Sequence, residues 1–228
     1  MPDTKKKIGI LVAIEIDAVY KVFSDVTELS GPSGYKILKT ETENAEIYIL
    51  KCGMGEIASS SGTQYLITKF GVSLIINFGV VGGLTSDMKK QKLCLVSKVV
   101  HYKYDCSEFL DLSVGQVEGH DSIFLETDRQ LFDSAQAIEK LPSAVCCSGD
   151  KFISTAEEKA YLHDTFGGDI CDMESAGIVL TCEANGIPCI LFKAVSDGLS
   201  DGAAGFFAEL ESASVSCLET ANKIIEKL

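Results

Sequence analysis

Three apolar runs rich in branched side chains constrain this chain more than anything else in it: KIGILVAI from Lys7 to Ile14, SLIINF from Ser73 to Phe78 and CILFKAV from Cys189 to Val195. None alternates cleanly with polar positions, so each reads as a strand covered on both faces. Segments of helical length lie between them. Residues 15–24, 57–70, 128–141, 174–185 and 206–228 read as helices, the fourth stopped by Gly186, Ile187 and Pro188. TAEE, from Thr155 to Glu158, has the capping-box form and opens a helix to about Thr165. Residues 35–51 read as two antiparallel strands, and 92–100, 122–126, 143–147 and 168–173 as further strands. This alternation predicts one α/β domain over residues 1–228, a mixed sheet with helices on both faces. Residues 101–121 have little period and read as an irregular functional loop.

Charge narrows the partners. Lys plus Arg number 20 against 33 Asp plus Glu, a formal net charge of −13, and a field of that sign repels phosphate backbones and anionic lipid headgroups. Nucleic acid and membrane are therefore not expected partners. No apolar stretch reaches the roughly 18 residues of a membrane span. The opening MPDTKKKIGILVAIEID imitates a signal peptide, but Glu15 and Asp17 interrupt its short apolar run. It reads as a first strand, in a cytoplasmic protein. Nine cysteines, an odd number, form no CxxC pair and no Cys/His ligand spacing, which fits reduced core thiols and no metal site. His101, His120 and His163 have no spacing that suggests a metal or a triad, and read as surface or core residues.

Ligands of open α/β sheets bind beyond the carboxyl ends of strands, and four strands here end in polar or glycine-rich sequence. The ends carry Glu15 and Asp17; the glycines of residues 79–83; Asp172, Met173 and Glu174; and Ser196 with Asp197. Acidic groups recur there and, Lys193 apart, basic ones do not, which suits recognition of a polyol or a base. In extended chain Asp172 and Glu174 share a face and could grip a vicinal diol such as a ribose; alternatively Glu174 merely begins a helix. Asp197, at a low-dielectric margin, suits a general acid or an ordinary cap. The glycines could admit a ligand to backbone amides or serve close packing.

Taken in order, KIGILVAIEID, CGMGEIASS, INFGVVGGL, GDKFIS, DMESAGIVLTCEANGIPCI and AVSDGLSD resemble the purine nucleoside phosphorylase and nucleosidase superfamily, from about Lys7 to the last helix. The resemblance is greatest to the nucleosidases of 5′-methylthioadenosine and S-adenosylhomocysteine. It implies a three-layer α/β/α sandwich with a central mixed, partly barrel-like sheet, a homodimer, a purine nucleoside as small-molecule partner and no metal or organic cofactor. By the same resemblance Asp197 protonates N7 of the leaving adenine and Ser196 orients it. Glu174 binds the ribose hydroxyls and Met173 packs under the sugar. The base lies at Phe152 and Ile153, Met54 and Phe207 wall the 5′-substituent, and Phe109 reaches across the dimer. Three positions depart from the family pattern: Asp17 stands where a Glu positions the attacking water, Val80 where the glycine-rich stretch has Ser, and Lys193 where Arg is usual.

The chain has a single arginine, Arg129, in a predicted surface helix. Phosphorolysis needs an anion clamp, for which the arginine fork is best suited. The expected reaction is therefore hydrolysis of the N-ribosidic bond, releasing adenine; a phosphorylase and a nucleoside-binding protein with reduced catalysis are the alternatives.

Overall fold

The structure, a computed structural model, describes residues 5–32, 34–90, 92–199 and 202–227. In chain order the elements are β1 (Lys6–Val12), α1 (Ile16–Val22), β2 (Thr27–Leu29), β3 (Lys36–Glu41), β4 (Ala45–Lys51), α2 (Glu56–Tyr65), β5 (Leu74–Gly83) and β6 (Leu93–His101). There follow β7 (Leu125–Glu126), α3 (Arg129–Ile138), β8 (Ser143–Ser148), α4 (Ala156–Phe166), β9 (Ile170–Asp172), α5 (Ser175–Asn185), β10 (Cys189–Asp197) and α6 (Gly202–Ile225). A wider helical turn at Leu66–Phe70 extends α2.

The apolar runs do what two-sided burial requires. Along β1, β5 and β10, Ile8, Ile10, Val12, Ile76, Phe78, Ile190 and Phe192 enter one core with α1 and α6 residues such as Val19 and Leu218. The alternate positions Leu11, Ile75, Leu191 and Val195 enter a second core with Ala176, Ile178 and Val179 of α5. A period of two thus feeds both faces of one sheet, with Asn77 and Lys193 as buried polar positions among them. This is the expected three-layer arrangement.

The sheet is mixed. β1 runs parallel to β4 and β5, and β5 runs parallel to β10. From β10 the pairing continues through β6, β8 and β9 and returns antiparallel to β5, so five strands close into a barrel while β1, β4, β3 and β2 extend from it. Closure removes two of the sheet's edges and draws the ends of β5, β9 and β10 together.

Sequence reading located most elements and missed some bounds. The glycines of residues 79–83 belong to β5, which pairs with β10 as far as Asp197. They are strand residues packed against neighbours, and Gly82 with Val80 and Val81 also lines the cleft at the strand ends. The short β2 was unforeseen, since its residues are largely exposed and carry no apolar pattern. The capping box formed as expected, Thr155 Oγ1 accepting from the Glu158 amide at 3.2 Å. All nine cysteines are thiols and seven are buried.

Candidate active site

Where β1, β5, β9 and β10 end, a cleft opens. Glu15, Asp172, Glu174 and Asp197 line it, with Val80, Phe152, Ile153, Met173, Met54 and Phe206 among the apolar wall. The acids come from three chain segments, Glu15, Asp172 with Glu174, and Asp197, so only the folded sheet brings the three together.

Asp197 ends β10 and is 1% exposed. Its Oδ2 accepts from Lys159 Nζ at 2.6 Å, and its Oδ1 lies 3.1 Å from the Ser196 hydroxyl, which also reaches the Val81 carbonyl at 3.2 Å. Ser196 is fully buried, so its contact is with the acid. A side chain at Gly82 would place its Cβ 3.4 Å from Asp197 Oδ2. The glycine leaves room for the acid.

Glu15 follows β1 and is 6% exposed. Its two oxygens accept from the amides of Val80 at 3.0 Å and Ile14 at 2.9 Å, and a Cβ at Gly79 would sit 3.0 Å from Oε1. Asp17 lies two residues on, in the first turn of α1, exposed and outside the cleft. Of the two acids, Glu15 lines the cleft and Asp17, which the sequence reading places at the water site, does not. The chain leaves β1 and enters α1 at Ile16, so Glu15 still faces the sheet's end while Asp17 turns to solvent, where a carboxylate favours the helix N-terminus.

Glu174 precedes α5 but does not cap it with its side chain. Oε1 accepts from the Gly55 amide at 2.8 Å and Oε2 from the Met173 amide at 3.3 Å. Gly55 has φ +100°, and a Cβ there would lie 2.8 Å from Asp150 Oδ1, so glycine is what lets this amide face the carboxylate. Burial and then the charge of Asp172 push Glu174 up to about 7. Capping falls to Asp172, whose Oδ1 accepts from the Ser175 amide at 3.2 Å.

Asp172 also takes Lys193 Nζ at 2.7 Å and the Ser175 hydroxyl at 2.5 Å on Oδ2. Burial alone would raise it, but the Lys193 ammonium and the hydroxyls hold it below the usual carboxylate value. Lys193, 2% exposed, does not line the cleft. Its expected place as a substrate contact is corrected: it is the buried counter-ion of Asp172. Phe207 is corrected as well, since it is 71% exposed and the neighbouring Phe206 lines the cleft. The Phe206 ring meets Phe152 edge-on at 5.5 Å and Phe207 at 5.3 Å.

Phe152, Ile153, Met173, Met54 and Val80 line the cleft. Phe109 is 76% exposed and outside it. Sequence reading missed Lys151, Lys159 and Phe206. A signal for Lys159 exists: α4 buries Lys159, Leu162 and Phe166 at helical spacing, putting a lysine on an apolar stripe. Arg129 is paired with Asp133 at 2.8 Å on α3, away from the cleft, and the lining cation Lys151 is paired with Glu158 at 2.5 Å.

Comparison with known proteins fits this geometry. An aminodeoxyfutalosine nucleosidase of Helicobacter pylori is 30% identical over 211 residues, covering 90% of this chain and 91% of that one. A 5′-methylthioadenosine/S-adenosylhomocysteine nucleosidase of Haemophilus ducreyi is 28% identical over 85% of each. Among solved structures, a futalosine hydrolase of Helicobacter pylori superposes with a TM-score of 0.92 at 28% identity, covering 98% of both chains. A 5′-methylthioadenosine/S-adenosylhomocysteine nucleosidase of the same species, solved with butyl-thio-DADMe-Immucillin-A, gives the same TM-score and identity over 99% of this chain and 100% of its own. Residues 7–228 match the Phosphorylase superfamily. The chain belongs to the phosphorylase superfamily and stands within it among the nucleosidases, enzymes that hydrolyse N-glycosidic bonds.

Proposed function

We propose that this protein hydrolyses the N-ribosidic bond of adenine nucleosides carrying a 5′-substituent, with 5′-methylthioadenosine and S-adenosylhomocysteine as first candidates and aminodeoxyfutalosine as the competing one. The observation that carries the reading is the convergence of Asp197, Glu174 and Glu15 on one cleft in which no arginine stands. Asp197 protonates the leaving base at N7. As the C1′–N9 bond breaks, positive charge develops on the sugar, which the surrounding carboxylates stabilise. Glu174 holds the ribose hydroxyls over Met173, and Glu15, oriented by two amides, positions water for attack on C1′.

Phe152 and Ile153 hold the base, and Met54 with Phe206 walls the 5′-substituent. Met54 is 63% exposed and Phe152 41%, so that end of the cleft is open, and substituents of different size can extend through it. This supports acceptance of both the methylthio and the larger candidates. The exposed Phe109 fits delivery to the cleft of a second copy, the homodimer that the resemblance implies.

The test is release of free base and free sugar from 5′-methylthioadenosine, S-adenosylhomocysteine, aminodeoxyfutalosine and inosine, with and without phosphate. Hydrolysis predicts a reducing sugar at a phosphate-independent rate and the poorest rate with inosine. A sugar 1-phosphate as product would establish phosphorolysis instead, and binding without release of base would mark a binding protein.

A further inference from the structure

Lysine is among the residues least often fully buried, and a buried ammonium needs a counter-charge. Lys159 is 0% exposed on the inner face of α4. Its ammonium donates to Asp197 Oδ2 and to the Gly198 carbonyl, each at 2.6 Å. It therefore grips the acid and the residue after it. Its helix begins three residues beyond Ile153, directly after the segment that walls the base side of the cleft. One side chain thus ties that segment to the group that would protonate the base.

Around the Asp197 carboxylate stand the Lys159 ammonium from α4, the Cys171 thiol from β9 and the Ser196 hydroxyl on its own strand. A Cβ at Gly82 of β5 would lie 3.0 Å from Cys171 Sγ as well as 3.4 Å from Asp197. The Cys171 thiol is pushed up by burial and stays neutral. Asp172 of β9 and Lys193 of β10 neutralise each other at 2.7 Å. Glu15, Glu174 and Lys151, itself paired with Glu158, complete the charged lining of the cleft. Lys159 is therefore the positive charge in direct contact with the acid.

We infer that Lys159 is a positioning residue for the leaving-group acid: it fixes Asp197 against the base-binding segment and stabilises the carboxylate left when the proton passes to the purine. The inference rests on the nucleosidase reading above. In the step, the Asp197 O–H bond breaks and an N–H bond forms on the departing base. The negative charge left on the carboxylate is met by an ammonium already in place on Oδ2, so no charge has to be recruited as the reaction proceeds.

Base release from 5′-methylthioadenosine across pH, by wild type, Lys159→Met and Lys159→Arg, each also in an Asp197→Asn background, tests it. Lys159→Met is expected to lower kcat on the order of tenfold to a hundredfold with KM changed less than about threefold, and to carry the alkaline limb of the rate profile to higher pH. Lys159→Arg should restore the limb and most of the rate. In the Asp197→Asn background Lys159→Met should cost less than about twofold, because a residue acting through another has nothing left to act on. An unchanged profile in Lys159→Met, or an equal loss in both backgrounds, would overturn the inference in favour of a purely structural ion pair. Lys159→Gln is read by the same criteria if the methionine variant does not fold. A wild type that releases no base overturns the nucleosidase reading and this inference together, whereas an active wild type with an indifferent Lys159→Met removes the inference alone.

Discussion

The cleft holds its four carboxylates by two different means. Asp197 and Asp172 are each locked to a buried lysine, Lys159 at 2.6 Å and Lys193 at 2.7 Å. Glu15 and Glu174 are held only by backbone amides, two apiece. A direct ammonium contact makes a buried charge tolerable and leaves it nearly neutral to its surroundings, while an amide-held carboxyl has no opposite charge against it to offset its burial. The outcome is visible in Asp172, held below its usual value, and Glu174, pushed up to about 7. The carboxyls without an ammonium partner are the ones the proposed function sets against the ribose and the water, and Asp197, with one, is its proposed acid.

The largest effect should come from the paired acids. Asp197→Asn should lower kcat by at least roughly a hundredfold with far less change in nucleoside affinity, because an amide of the same shape cannot deliver a proton. Steady-state turnover alongside calorimetric binding checks this, and equal turnover would dismiss Asp197 as the acid.

Among the amide-held acids, Glu15→Gln should cost about a hundredfold, since its amide no longer accepts a proton from the water. Asp17→Ala should stay within about twofold of wild type, in the range of mutations that touch nothing. Comparing the two rates in phosphate-free buffer decides which acid serves the water, and a reversed order would return that role to Asp17.

Glu174→Ala should weaken riboside binding about tenfold or more while leaving free adenine nearly unaffected, as only the sugar loses hydrogen bonds to a charged acceptor. Equal losses for the two ligands in parallel titrations would make Glu174 structural.

The smallest effect is on stability. Folding raises Glu174 from 4.5 to about 7. The unfolded chain therefore gives up its proton first, so stability falls as pH climbs from about 4.5 to 7, and the cost is complete above that. Glu174→Gln removes it, which should stabilise the protein by roughly 1–3 kcal/mol at pH 8 and by progressively less toward pH 4.5. Melting temperatures at the two pH values report this; a constant difference would mean that Glu174 ionises alike in both states.

Where elements lie was largely legible in sequence, because two-sided burial writes itself into runs such as KIGILVAI and because the capping box at Thr155 is local chemistry. Asp197 and Glu174 were legible for the same reason, each standing directly at the end of a buried strand or the start of a helix. Glu15 was visible as a strand end, yet the family pattern drew the assignment to Asp17. The difference between them is one of direction: two residues on, across the entry to α1, the chain has turned from the cleft to solvent.

The sequence by itself determined the strands, the helices and the excess of acid at the strand ends, since these follow from periodicity and composition within short windows. Tertiary structure alone decided which acids are paired. Lys159 and Asp197 are 38 residues apart, and Lys193 and Asp172 are 21 apart; no local rule couples them. Likewise the sequence left open whether the glycines of residues 79–83 admit a ligand or serve close packing, and the fold makes them strand positions whose missing side chains make room for Glu15 and Asp197. Barrel closure between β5 and β10 sets those distances, and closure is a long-range property that each strand's own residues permit but do not specify.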